Sequence, residues 1–206
     1  MKIVPFLFEL IKKMNKLQEI IEKFNLGIKD NPEYGTDKGF PKSYIDEFYE
    51  KSFSGLVDKD ITLVEIGVRS GSSLKMWREY FSKAKIIGID NFSDLNNHQI
   101  PINNSWIYNE DVQFICGDAY DKDVSDRIEN IDILIDDGPH TFESHVKTLE
   151  LYLPKINLDG MVIIEDVSYN PNNLFDYVPD NLKDTSFLYD FGGYDNRLIV
   201  IEVKDK

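Results

Sequence analysis

The sequence predicts an α/β protein built on a mostly parallel sheet with helices on both faces. Two observations carry this. Five short apolar runs each end in an acidic or glycine-rich turn: Leu63-Val64-Glu65-Ile66-Gly67, Ile86-Ile87-Gly88-Ile89-Asp90, Phe114-Ile115-Cys116-Gly117-Asp118, Ile133-Leu134-Ile135-Asp136-Asp137 and Val162-Ile163-Ile164-Glu165-Asp166. Helical stretches separate them, as in βαβ units whose strands are buried on both sides. After the fifth run the pattern changes: Thr185–Tyr189 and Leu198–Val203 flank a Gly192-Gly193 turn. Two strands joined by a short glycine turn form an antiparallel hairpin.

Along the chain, Phe6, Leu10, Met14, Leu17, Ile21 and Phe24 recur at helical spacing, giving one amphipathic helix over 6–24 that stops near Gly27. Its stripe either packs on the domain or makes a dimer contact or lid. A polar turn, Tyr34-Gly35-Thr36-Asp37-Lys38-Gly39, precedes a helix bearing Tyr44, Phe48 and Tyr49. The strands are expected at about 62–67, 85–90, 112–118, 132–137 and 161–166. Helices are expected at 72–81, 122–129 and 141–153, the last closed by Pro154, with a Leu158-Asp159-Gly160 turn before the fifth strand. The stretches 91–111 and 168–183 read as long polar loops of the kind that carry function. Residues 1–58 form an N-terminal helical extension and 59–206 the main domain.

Composition narrows the function. The 206 residues carry 37 acidic against 23 basic side chains, a formal net charge of -14, with 42% hydrophobic residues. A folded domain is expected, and neither nucleic acid nor an anionic membrane surface suits that charge. A single cysteine excludes a disulfide framework, and Cys116 reads as a small core residue inside its strand. The N-terminal apolar run is interrupted by Glu9 and offers no cleavage site, so a cytoplasmic location is expected.

In a parallel sheet, ligands bind at the carboxyl ends of the strands. Here those ends carry glycines and carboxylates. Glu65-x-Gly67-x-x-x-Gly71 lies between the first strand and its helix, where glycine allows close backbone approach and free N–H groups await a partner. Ser70, Ser72 and Ser73 add hydroxyls. The turn lacks the third glycine of a dinucleotide fingerprint, and Glu65 repels phosphate. Asp90 suits two ribose hydroxyls, and Asp118 an adenine amino group. Single acids at strand ends are ordinary solvated turn residues; their order is what is informative.

This series, with the terminal hairpin, resembles the class I S-adenosylmethionine-dependent methyltransferases over about 60–203. The resemblance implies a Rossmann-like seven-stranded sheet with an antiparallel last strand. It also implies that Glu65, Gly67 and Gly71, with Arg69 and Ser70, frame the methionine part, Asp90 the ribose, and Asp118 with Ala119 the adenine. Thr36 and Asp136 border the same site.

The fourth and fifth runs end in Asp136-Asp137-Gly138-Pro139-His140 and Glu165-Asp166. If the strands are neighbours, Asp137, Glu165 and Asp166 converge, and three oxygen ligands without a thiolate favour Mg2+. The alternative is carboxylates facing solvent separately or held by Lys and Arg. His140 can act as general base or cap the next helix; His145 and His98 read as structural or solvated. The arrangement resembles the metal-dependent sugar O-methyltransferases of the mycinamicin and tylosin macrolide type, which implies Mg2+ on Asp137, Glu165 and Asp166, and His140 as base. Thr36-Asp37-Lys38 and Tyr44 resemble an upstream segment of such proteins. The expected activity is Mg2+-assisted methylation of a sugar hydroxyl, by a homo-oligomer. A nitrogen or catechol acceptor, or S-adenosylmethionine binding without catalysis, are the alternatives.

Overall fold

The protein is described here by a computed structural model covering residues 15–93 and 112–205. Seven strands form one sheet: β1 (Thr62–Ile66), β2 (Lys85–Asp90), β3 (Val112–Cys116), β4 (Ile131–Asp136), β5 (Ile156–Ile164), β6 (Ser186–Asp190) and β7 (Arg197–Glu202). Their order is β3-β2-β1-β4-β5-β7-β6. The first five are parallel; β7 runs antiparallel to β5 and β6 antiparallel to β7. This is the expected sheet. Its strand order reverses between β1 and β4, where an open parallel sheet leaves a crevice for ligands.

Register aligns the strand ends. Ile66 pairs Ile89 on one side and Asp136 on the other, and Asp136 pairs Ile164. The ladder continues one residue further: Gly67 N–H donates to the Ile89 carbonyl, Asp137 N–H to Ile66 and Glu165 N–H to Asp136, at 3.0, 2.9 and 3.0 Å. Gly67, Asp90, Asp137 and Glu165 therefore leave the sheet along one edge.

Alternating side chains build two cores. Leu63, Ile133, Ile135 and Ile163 face one side, with α1 (Lys16–Phe24), α3 (Ser72–Tyr80) and an aromatic group of Tyr44, Phe48, Tyr49, Phe53 and Trp77. Phe48 and Tyr49 lie in a π-helical turn at Ile45–Tyr49 that runs into α2 (Glu50–Phe53) and its Phe53, while Trp77 comes from α3. Val64, Ile66, Leu134 and Ile164 face the other side. There α4 (Lys122–Ser125), α5 (Phe142–Tyr152) and α6 (Asn172–Phe175) close the second core, through Val124, Leu149, Tyr152 and Leu174.

Several expectations are corrected. Against the expected helix over 6–24, the described helix α1 begins after Asn15, whose backbone is extended and whose side chain accepts the Gln18 N–H at 2.7 Å as an N-cap. Residues 6–14 lie outside the described residues. Leu17, Ile20 and Ile21 are buried in the protein's own core, so this part of the stripe packs on the domain. Cys116 is exposed because β3 is an edge strand. The 158–160 turn is instead a distortion within β5: Asp159 takes φ 65°, and the pairing with β4 shifts between Ile131 and Ile133. The helix expected at 122–129 is only the short α4. The 168–183 stretch contains α6 and runs into a 3₁₀ turn at Asp180–Thr185. Among the described residues, no helix is long and apolar enough to cross a membrane.

α5 starts directly after the β4 turn, so its N-cap helps fix that turn. Thr141 Oγ1 accepts the Ser144 N–H at 3.1 Å, and Ser144 Oγ accepts the Thr141 N–H at 3.2 Å. Thr141→Ala is expected to lower stability by about 1 kcal/mol, read as a lower urea midpoint; an unchanged midpoint would show the cap to be energetically idle.

Candidate active site

A cavity of about 320 Å³ opens at the crevice between β1 and β4. Its walls come from the Gly67–Ser73 turn, the Asp90–Ser93 end of β2, Gly117–Tyr120 after β3, Asp137–His140 after β4, Asp166, and Gly35–Asp37 from the N-terminal segment.

The glycine turn is shaped by a close approach. Gly67 has φ 83°, and a Cβ there would overlap the carbonyl of Asp137. That proximity locks the β1 and β4 turns together. Val68 and Arg69 donate their N–H groups to Asp90 Oδ2 at 2.8 and 2.7 Å, and Phe92 N–H donates to Oδ1 at 2.5 Å. A carboxylate offers about four acceptor sites, so one remains for a ligand hydroxyl. Asp118 is exposed at the rim, its Oδ1 accepting the Tyr120 N–H at 2.9 Å, and Ala119 is buried beside it.

The remaining expected cofactor residues divide between the cavity wall and the interior of the fold. Asp136 is fully buried and lies outside the cavity wall. It accepts from Tyr120 OH and Gly138 N–H at 3.0 and 3.1 Å and from Thr148 OH, holding the β4 turn. Glu65 is also fully buried and outside the wall, because strand alternation turns it toward α3, where Ser73 OH donates to its Oε2 at 2.8 Å. Gly71 is the left-handed residue preceding α3, with φ 83°. Ser70 and Ser72 donate their hydroxyls to the Tyr34 carbonyl, tying the turn to the N-terminal segment. Thr36 is in the wall.

The acidic group is organised by two lysines. Lys38, fully buried, donates to Asp137 Oδ2 at 2.6 Å and Glu165 Oε1 at 2.8 Å, and lies 3.4 Å from Glu65 Oε1. Tyr49 OH also donates to Glu165 Oε1. Lys42 pairs Asp166 Oδ1 at 3.1 Å and Asp195 Oδ1 at 2.7 Å, and Tyr44 OH donates to Asp166 Oδ1 at 2.6 Å. Burial works against the Lys38 ammonium, but Asp137, Glu165 and Glu65 outweigh it and hold its charge well above the usual lysine range. Burial likewise pushes Asp137 up and Glu165 well up, against the pull of Lys38. Five carboxylates thus face two ammoniums.

One carboxylate oxygen each from Asp137 and Asp166 and a ring nitrogen of His140 lie within 4.8 Å of one another. His140 Nε2 is 3.8 Å from Asp137 Oδ1 and 3.9 Å from Asp166 Oδ2. Arg69, His140 and Asp166 all adopt left-handed backbone, at φ 48°, 57° and 56°, and such strain in non-glycine residues gathers at functional sites. Two carboxylate oxygens beside a deficit of positive charge fit a hard divalent cation, with the His140 nitrogen next to them. Glu165 is not in this trio; its Oε1 serves Lys38 and Tyr49. His145 is structural, buried and bonded through Nδ1 to Tyr169 OH at 2.8 Å. His98 lies outside the described residues.

A family profile described as a methyltransferase domain matches residues 64–167, half of the chain, and runs from β1 through Asp166. The chain belongs to this methyltransferase-domain family. A 32% identical relative from Streptomyces olivaceus, 8-demethyl-8-α-L-rhamnosyl tetracenomycin-C 2'-O-methyltransferase, aligns over 75% of this chain and 42% of its own length. Mycinamicin VI 2''-O-methyltransferase of Micromonospora griseorubida is 29% identical over 58% of this chain and 30% of its own length. The chain thus spans less than half the length of these curated relatives. The solved MycE methyltransferase from the mycinamycin pathway, in complex with Mg, SAH and mycinamycin VI, superposes with a TM-score of 0.66 at 19% identity, covering 93% of this chain and 55% of that one. That likeness is one of fold.

Two expectations test the geometry of this methyltransferase domain. Gly67→Ala must separate the β1 and β4 turns and adopt a strained backbone; it is expected to destabilise the domain by ~2 kcal/mol and to abolish ligand binding in calorimetry. Wild-type binding would show that the close approach is dispensable. Burial, only partly offset by Lys38, pushes Glu65 up to about 7. A carboxyl whose folded pKa is raised weakens the fold as it ionises, so its contribution is lost as pH climbs from about 4.5 through 7. Glu65→Gln should therefore gain on wild type by ~2 kcal/mol between pH 5 and pH 8 in urea melts, whereas parallel pH profiles would refute the buried charge.

Proposed function

We propose that the domain binds S-adenosylmethionine in the cavity and, with a divalent cation, methylates a hydroxyl of a sugar. The observation that carries this is the convergence of Asp137, His140 and Asp166 in the wall of the same cavity as Gly67 and Asp90. Pure cofactor binding needs no such trio. Both curated relatives named above are O-methyltransferases, and one is named for a rhamnosyl tetracenomycin, which supports a sugar acceptor.

Asp137 and Asp166 would hold the cation, which would supply Lewis-acid activation of the acceptor hydroxyl, and S-adenosylmethionine would supply an electrophilic methyl. The protein's own groups do the rest. Gly67 and its turn would let the backbone approach the methionine part, Asp90 would accept from the ribose and Asp118 would take the adenine. His140 Nε2 takes the proton of the acceptor hydroxyl as the oxygen–carbon bond forms and the carbon–sulfur bond breaks. Glu165 supports the site through Lys38. The cytoplasmic location and a homo-oligomer remain part of this reading.

Calorimetry with S-adenosylhomocysteine, with and without Mg2+, tests it. Micromolar binding is expected; its absence from folded protein refutes the cofactor. Asp137→Ala is expected to retain that binding while Mg2+-dependent turnover is lost. His140→Ala should keep both S-adenosylhomocysteine and Mg2+ yet lose about 10²-fold or more in turnover, the usual scale for a removed general base. Loss of Mg2+ in His140→Ala would instead make the histidine a ligand.

A further inference from the structure

Asp137 and Asp166 share an arrangement that coordination of a metal does not by itself require. Each gives one oxygen to a lysine and turns the other toward His140. Asp137 Oδ2 takes Lys38 at 2.6 Å while Oδ1 faces His140. Asp166 Oδ1 takes Lys42 at 3.1 Å and Tyr44 OH at 2.6 Å, while Oδ2 faces His140. The two lysines come from one tight segment, in which Lys42 N–H donates to the Asp37 carbonyl and Ile45 N–H to Lys38. Neither lysine is in the cavity wall, so neither contacts the ligands placed there.

We propose that Lys38 and Lys42 are positioning residues that fix which oxygen of Asp137 and Asp166 faces the divalent cation. The terminal torsion of an aspartate is soft and two-fold, so an unheld carboxylate samples orientations that present either oxygen, or both edge-on. A charge-assisted hydrogen bond to one oxygen removes that freedom and leaves the second oxygen in place before the cation arrives. The energetic consequence is preorganisation: the ordering of both carboxylates is complete in the free protein. The opposing effect is direct repulsion between ammonium and cation. The two effects have opposite signs in a binding measurement, so the roles can be told apart.

This rests on the metal reading above, and the test separates the two. Mn2+ binding is followed by electron paramagnetic resonance of the free ion in the unaltered protein and in Lys42→Gln, Lys42→Arg and Lys38→Gln, with thermal melting and S-adenosylhomocysteine affinity measured on each without metal. Positioning predicts that all three variants bind Mn2+ about 10-fold or more weakly, the usual effect of removing a residue that orients a metal ligand, with S-adenosylhomocysteine affinity within about twofold. Lys42→Arg keeps the charge and changes only the geometry, so its loss of affinity is the distinguishing result. Lys38 is fully buried, and if its variant does not fold, the Lys42 pair carries the test. Tighter Mn2+ in Lys42→Gln, or unchanged Mn2+ in Lys42→Arg, would reduce the lysines to counter-charges and overturn the proposal alone. No Mn2+ binding by the unaltered protein would overturn the metal reading and the positioning role with it.

Discussion

A single buried ammonium holds the functional edge of this fold together. Lys38 has no exposure and sits among Glu65, Asp137 and Glu165, which come from β1, the β4 turn and the end of β5. Burying an ion is costly, and breaking such a group by removing one partner typically costs about 3–5 kcal/mol because the others are left uncompensated. The group is therefore more a device for specificity than a source of net stability: it demands that the N-terminal segment close over these strands in one register. The aromatic packing of Tyr44, Phe48, Tyr49 and Trp77 supplies the apolar contact that brings Lys38 there.

The position of that ammonium follows from the period of the strands. Glu65, Asp137 and Glu165 continue the alternation of Leu63, Ile135 and Ile163, so all three point to the α1/α3 face. Asp136 points to the other face, toward Thr148 of α5. The same two-residue period thus separates the acids that meet Lys38 from Asp136, which holds the β4 turn. It explains why neighbours in sequence, Asp136 and Asp137 or Glu165 and Asp166, have unlike partners.

The sheet was legible because its signals are local: buried parallel strands are short apolar runs, and a glycine turn marks the hairpin. The chemistry-bearing ends were legible for the same reason, since Gly67, Asp90, Asp118, Asp137, His140 and Asp166 all follow strands. What the runs did not reveal was long-range pairing. Lys38 meets Asp137 and Glu165 across 99 and 127 residues, and no spacing rule reports that. Lysine pairing, weighed against metal binding for the acids, uses one oxygen of Asp137 and one of Asp166 and leaves the other toward His140. The placement of Glu65 and Asp136 outside the cavity wall was not legible, because closeness in sequence to a turn says nothing about which face a side chain takes. Asn15 was missed because the apolar stripe continues through it, while its cap bond depends on backbone geometry.

The account stands on one spatial claim: the glycine turn, Asp90 and the Asp137–His140–Asp166 trio serve one cavity. Crystals grown with S-adenosylhomocysteine and MnCl2, measured at the manganese edge, test it directly. The account predicts an anomalous peak bonded to Asp137 and Asp166, with the homocysteine sulfur facing it in the cavity beside Gly67 and the ribose on Asp90. Manganese on unrelated surface acids, or the ligand outside this cavity, would contradict it.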